Sequence, residues 1–185
     1  MSDFAYRLLQ RGAEACALDF AYHDFDGMRM RHRDNFDATC QDVFDAEPGS
    51  EQAEALYGSF VQGFIESLTT VPSIYVAGSA TALPFRSKSF DLVTSFNGLF
   101  GALDFDLDVL VTALLEAVRV IKPGGRVQLI PFQDSPILDH SERQIQCAAI
   151  EALAKTAAVE LSEAVARDEP LLGGRIGRLT ITKTA

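Results

Sequence analysis

Apolar positions along this chain fall into two rhythms. Spacings of three and four mark helices, and short continuous or alternating apolar runs mark strands. Phe4, Ala5, Leu8 and Leu9 sit at helical spacing, and Gly12 ends that stretch. Residues 13–18 (AEACAL) form a small-apolar run closed by Asp19; it is too short for a buried helix and reads as a strand. Residues 20–50 are polar, aromatic-rich and irregular, with a turn signal at Glu47-Pro48-Gly49-Ser50. Leu56, Tyr57, Phe60, Val61, Phe64, Ile65 and Leu68 then make a continuous stripe. It predicts a helix over 51–68 that packs on the core or walls an apolar ligand pocket.

The second half alternates more regularly. Residues 73–77 (SIYVA) predict a buried strand ended by Gly78-Ser79. Leu83-Pro84-Phe85 predicts an extended turn, because Pro84 disfavours helix at Leu83. Residues 90–96 (FDLVTSF) predict a strand followed by Asn97-Gly98. Asp104 or Asp106 caps a helix bearing Leu107, Leu110, Val111, Leu114, Leu115, Val118 and Ile121, which Pro123-Gly124-Gly125 stops. A strand over 126–132 and a helix over 141–156 follow; residues 159–165 fit either strand or helix. Gly173-Gly174 and Gly177 mark a turn before a final β-branched strand at 179–182. Strands alternating with helices predict an α/β domain built on a mostly parallel sheet.

Composition narrows the class. With 185 residues, of which 48% are hydrophobic, the chain has enough apolar mass for one self-supporting domain. A formal net charge of −10 disfavours broad binding to nucleic acid or to an anionic membrane. Cys16, Cys40 and Cys147 are scattered and odd in number, which predicts reduced thiols in a cytoplasmic protein, with no disulfide framework and no metal site. No apolar run approaches the roughly 20 residues of a membrane span.

Three ordered pieces carry a resemblance. Ala80-Thr81-Ala82-Leu83-Pro84-Phe85, then Ser89-Phe90-Asp91-Leu92-Val93, then Glu116-Ala117-Val118-Arg119-Val120-Ile121-Lys122-Pro123-Gly124-Gly125-Arg126 resemble the class I S-adenosylmethionine-dependent methyltransferases. The resemblance implies a Rossmann-like fold with a mostly parallel sheet and a C-terminal antiparallel strand. It implies one domain over 1–185, with residues of about 22–71 as an insertion or lid. It implies S-adenosylmethionine as cofactor and a small-molecule methyl acceptor.

The same resemblance implies a site. Ligands of open α/β sheets lie at the carboxyl ends of strands. Asp19 would accept hydrogen bonds from the ribose hydroxyls, and Phe20 would pack on the adenine. Gly78, Ser79 and Ala80 would contact the adenine; Phe96 and Asn97 would flank the reaction centre. Asp19 also reads simply as a turn cap. Glu116 and Arg119 read as an ion pair, and Lys122-Pro123-Gly124-Gly125 as a sharp turn without chemistry. His23, His32 and His140 are the candidate bases by ordinary pKa, and none is assigned.

Two departures from the family pattern shape the expectations. Ser79 stands where the family has an aspartate, which removes a charged acceptor for the adenine amino group. The family's first strand and glycine-rich loop have no counterpart: Met1-Ser2-Asp3-Phe4 falls where that loop would hand over to its helix. Gly173-Gly174 and Gly177 do not replace it, because they precede a strand instead of following one. Three arrangements account for this: an upstream segment supplies the strand, the protein has lost it along with cofactor binding, or a second copy or partner donates it. An uncovered edge at that position predicts self-association. The competing function is therefore a non-catalytic methyltransferase-like binding or regulatory protein.

Overall fold

A computed structural model describes residues 4–19, 33–34, 36–37, 45–71, 75–96, 99, 106–132, 140–165 and 177–184. In chain order the elements are α1 (Phe4–Gln10), β1 (Ala17–Asp19), α2 (Glu51–Thr70), β2 (Tyr75–Ala77), β3 (Phe90–Phe96), α3 (Leu107–Val120), β4 (Ile121–Phe132), α4 (His140–Thr156), β5 (Val159–Val165) and β6 (Gly177–Lys183). The chain divides into two compact units, Met1–Ser79 and Ala80–Ala185.

In the first unit, β1 and β2 pair in parallel, with Ala17 opposite Tyr75, Leu18 opposite Val76 and Asp19 opposite Ala77. The strand predicted over 13–18 is shorter than expected: among the described residues it runs over Ala17–Asp19, opposite Tyr75–Ala77, and residues 73 and 74 of the strand predicted over 73–77 lie outside the described residues. Ala5 and Tyr75 are buried, with Tyr6, Leu9, Ala15, Ala17 and Val71 packed around them, so α1 and the strand pair share one small core. Ser50 caps α2: its hydroxyl accepts from Ala53 N at 3.1 Å. A second small core forms around Phe36, Ala46 and Ala53, with Leu56 and Tyr57 against it. Arg33 ties this core together. Its guanidinium pairs with Asp37 (2.7 Å) and Glu54 and stands 4.7 Å from the centre of the Tyr57 ring. The predicted stripe of α2 is thus partly spent within the first unit, at Leu56 and Tyr57.

The second unit holds a four-stranded sheet in the order β3-β4-β6-β5. β3 and β4 are parallel, whereas β6 runs antiparallel to both β4 and β5. A single reversed strand, contributed by the C-terminal segment, matches the expected sheet. The segment at 159–165, open in the sequence, is a strand: it pairs with β6 along its whole length. One face of the sheet presents Val127, Leu129, Leu179 and Ile181, all fully buried. α3 covers them with Leu110, Leu114, Ala117 and Val118, and α4 with Ala149, Ile150 and Leu153. Each buried valine, leucine or isoleucine among them stabilises the fold by roughly 1.5–3 kcal/mol before entropy is subtracted.

The ends of α3 decide how the strands are placed. Asp106 is its cap: the carboxylate accepts from Asp108 N (3.0 Å) and Val109 N (3.1 Å), whereas Asp104 lies outside the described residues. The helix stops at Val120, before Pro123-Gly124-Gly125. The physical cause is that other groups take its last carbonyls. Lys88 N donates to Arg119 O, Ser89 N to Val120 O, and Lys183 Nζ to both Val118 O and Ile121 O. Ile121 is already in β4, opposite Phe90, and Lys122-Pro123-Gly124-Gly125 forms an irregularity inside that strand. Gly124 has φ of +76°, and a Cβ on Gly125 would lie 2.8 Å from Lys122 O.

Candidate cofactor site

β1 and β2 end level with each other. Asp19 is the last residue of β1 and lies opposite Ala77, the last residue of β2. Gly78 and Ser79 follow directly and are half-buried. The backbone therefore brings the two carboxyl-terminal strand ends of the first unit side by side, with Asp19 one step from Gly78. Cys16, just ahead of β1, has its thiol pushed up from the ordinary value by burial.

In the second unit, Ala80 packs against the core formed by the sheet, α3 and α4. The turn that follows is pinned to α3. Leu83 N donates to Glu116 Oε2 at 2.8 Å, and Leu83 O accepts from Arg119 Nη2 at 3.0 Å. Arg119 Nη1 donates to Phe85 O (2.9 Å) and to Ser87 Oγ (3.2 Å). Arg119 Nε and Nη2 bind Glu116 at 2.7 and 2.9 Å. Phe85 meets Phe90 edge-on, with centroids 5.0 Å apart. The hydrogen bonds from Arg119 and, to a smaller extent, from Leu83 N hold the Glu116 carboxyl below its ordinary range, against opposing burial. The Arg119 guanidinium is correspondingly pushed up by Glu116.

β3 ends at Phe96, opposite Ile130 of β4. Ser95 Oγ accepts from Leu99 N at 2.9 Å, and Leu99 is buried. Phe20 and Asn97 lie outside the described residues, as do His23 and His32. His140 is the exposed first residue of α4, 3.0 Å from the Gln144 side chain on the next turn. Among the described residues no group of three His, Cys, Asp or Glu is placed to hold a metal ion. Also among them, no helix is long and apolar enough to cross a membrane.

Among the described candidates, Asp19 closes β1, Gly78 and Ser79 follow β2, and Phe96 closes β3. Asp19, Gly78 and Ser79 are neighbours in the first; Ala80 and Phe96 belong to the second. Sequence reasoning missed the grip of Glu116 and Arg119 on the Leu83-Pro84-Phe85 turn. The signal was available in outline, since an acidic and a basic residue three apart share one helix face. Nothing in that spacing reveals what the pair holds.

Residues 60–129 match the sequence family described as a methyltransferase domain. Among curated relatives, the demethylmenaquinone methyltransferase of Streptomyces avermitilis is 50% identical over 56 residues, which is 30% of this chain and 22% of that protein. The ubiquinone/menaquinone biosynthesis C-methyltransferase UbiE of Xylella fastidiosa is 40% identical over 77 residues, 38% of this chain and 28% of that protein. The matched stretch therefore spans about a quarter of the relatives' length. Among solved structures, the PH0226 protein of Pyrococcus horikoshii shares the fold, with a TM-score of 0.51 and 18% identity over 98% of this chain and 76% of that one. The motifs and the family match agree over residues 60–129, where the chain is similar to the methyltransferase domain family, and the likeness to the solved structure shows the fold.

Proposed function

We propose that this protein binds S-adenosylmethionine and transfers its methyl group to an apolar, aromatic small molecule of the quinone type. The observation that carries the reading is the end-to-end register of Asp19 and Ala77 in a chain that matches the methyltransferase family over residues 60–129. The residues present fit an adenosine. A carboxylate is an acceptor-only group and suits a vicinal diol, which offers two donors. Gly78, Ser79 and Ala80 offer backbone groups and one hydroxyl for the adenine. When bound, the cofactor supplies a sulfonium methyl whose departure needs no acid.

The protein's own part is positional. Asp19 orients the ribose, and the strand ends fix the adenine. The relatives named for demethylmenaquinone and ubiquinone methylation support a flat apolar acceptor, and the net charge of −10 disfavours a nucleic acid. A cytoplasmic location suits the dispersed cysteines.

The test is turnover. The protein is incubated with S-adenosylmethionine and a reduced demethylated naphthoquinone, and S-adenosylhomocysteine release is followed. Acceptor-dependent release supports the reading. Cofactor binding without turnover on any aromatic acceptor would overturn the acceptor class. Failure to bind the cofactor at all would favour the non-catalytic relative.

A further inference from the structure

Arg119 is saturated. A guanidinium has five N–H donors. Here they go to Glu116 Oε1, Glu116 Oε2, Leu83 O, Phe85 O and Ser87 Oγ. Glu116 in turn accepts the N–H of Leu83. Both backbone polar groups of Leu83 are therefore held by one helix, and the next residue, Pro84, has no N–H to offer. The effect is that of a short strand laid against α3, with side chains in place of a partner backbone. Ala80, at the other end of the turn, is half-buried and packs against the core. Residues 80–83 are thus anchored at both ends, and residues 83–87 are clipped along their length.

We infer that Glu116 and Arg119 are positioning residues for the cofactor, because they hold the turn that begins at Ala80 in one shape. This rests on the proposed role of Gly78, Ser79 and Ala80 toward the adenine. The pair itself touches no ligand; it acts through the backbone of Leu83 and Phe85. A lysine at 119 keeps the charge but lacks the planar fork, so it cannot serve Glu116, Leu83 and Phe85 together.

The experiment compares Arg119→Lys, Arg119→Gln and the milder Glu116→Gln with the unmodified protein. Asp91→Asn is the control, since the Asp91–Lys122 pair is an ion pair of the same unit that does not touch the turn. Each is titrated with S-adenosylhomocysteine and with adenosine, well below its thermal midpoint. Both Arg119 variants should lose about tenfold or more in affinity, by the same factor for both ligands, because the turn serves the part that the ligands share. Glu116→Gln should lose less, and Asp91→Asn nothing. Arg119 variants that melt earlier but bind normally would reduce the pair to a structural clasp and overturn the inference alone. An equal loss in Asp91→Asn would overturn it as well. If the unmodified protein binds neither ligand, the cofactor reading falls and this inference with it.

Discussion

Asp19 and Ala77 face each other across the last rung of a parallel two-stranded ladder. Parallel pairing places both chain exits on the same side, so the acidic residue closing one strand stands beside Gly78-Ser79 leaving the other. The proposed adenosine site follows from that register. Asp19→Ala should weaken S-adenosylhomocysteine binding by about 10- to 100-fold, the worth of charge-assisted hydrogen bonds of roughly 1.5–3 kcal/mol. Isothermal titration checks it, and unchanged affinity would remove Asp19 from the site.

Gly124 and Gly125 stand side by side but are required for different reasons. Gly124 has positive φ with open space around its missing Cβ, whereas a Cβ on Gly125 would press against the backbone oxygens of Lys122 at 2.8 Å and Asp91 at 3.2 Å. Gly124→Ala should cost about 1 kcal/mol from conformation alone. Gly125→Ala should cost about 2 kcal/mol or more and lower the midpoint by roughly 4–8 °C, since β3 and β4 must move apart. Thermal unfolding of the two variants gives the order directly.

Lys183 joins the end of the chain to the end of α3. Its ammonium donates to Val118 O at 2.8 Å and Ile121 O at 3.2 Å, where the helix dipole favours positive charge. Burial, and to a smaller extent Lys88, hold its pKa below the ordinary value. Lys183→Met keeps the aliphatic stem but strands both carbonyls, and should destabilise the fold by about 1–2 kcal/mol in urea titrations.

Glu116 makes stability depend on pH. Its carboxyl titrates below the ordinary 4.5 in the folded chain, chiefly through Arg119. The unfolded chain therefore takes up the proton first as pH falls. The stabilisation is complete above about pH 5 and is lost as pH drops through the folded-state value. The stability gap between the unmodified protein and Glu116→Gln should be constant near neutrality and narrow below pH 4.5. A gap that ignores pH would mean that the ion pair contributes nothing.

Much of this was legible in the sequence, because the signals were local. The apolar face of α3 and the alternation in β6 follow directly from side-chain period. The limits of α3 were not legible. Its stop at Val120 depends on Lys88, Ser89 and Lys183, which are distant in sequence and reach its carbonyls only in the folded chain. β5 was ambiguous for a similar reason: Glu160, Ser162 and Glu163 hide the alternation, and pairing with β6 decides it. In the proposed site, Asp19 was visible as a strand end and Gly78-Ser79 as the exit from the next strand. The Arg119 grip on Leu83 spans 36 positions, and no local pattern announces it.

The central claim is that these strand ends form a working nucleoside site. Calorimetric titration of the folded protein with S-adenosylhomocysteine tests it most directly. The account predicts one-to-one binding at micromolar concentration, weakened by Asp19→Ala. A folded sample that gives no heat at millimolar ligand would contradict it.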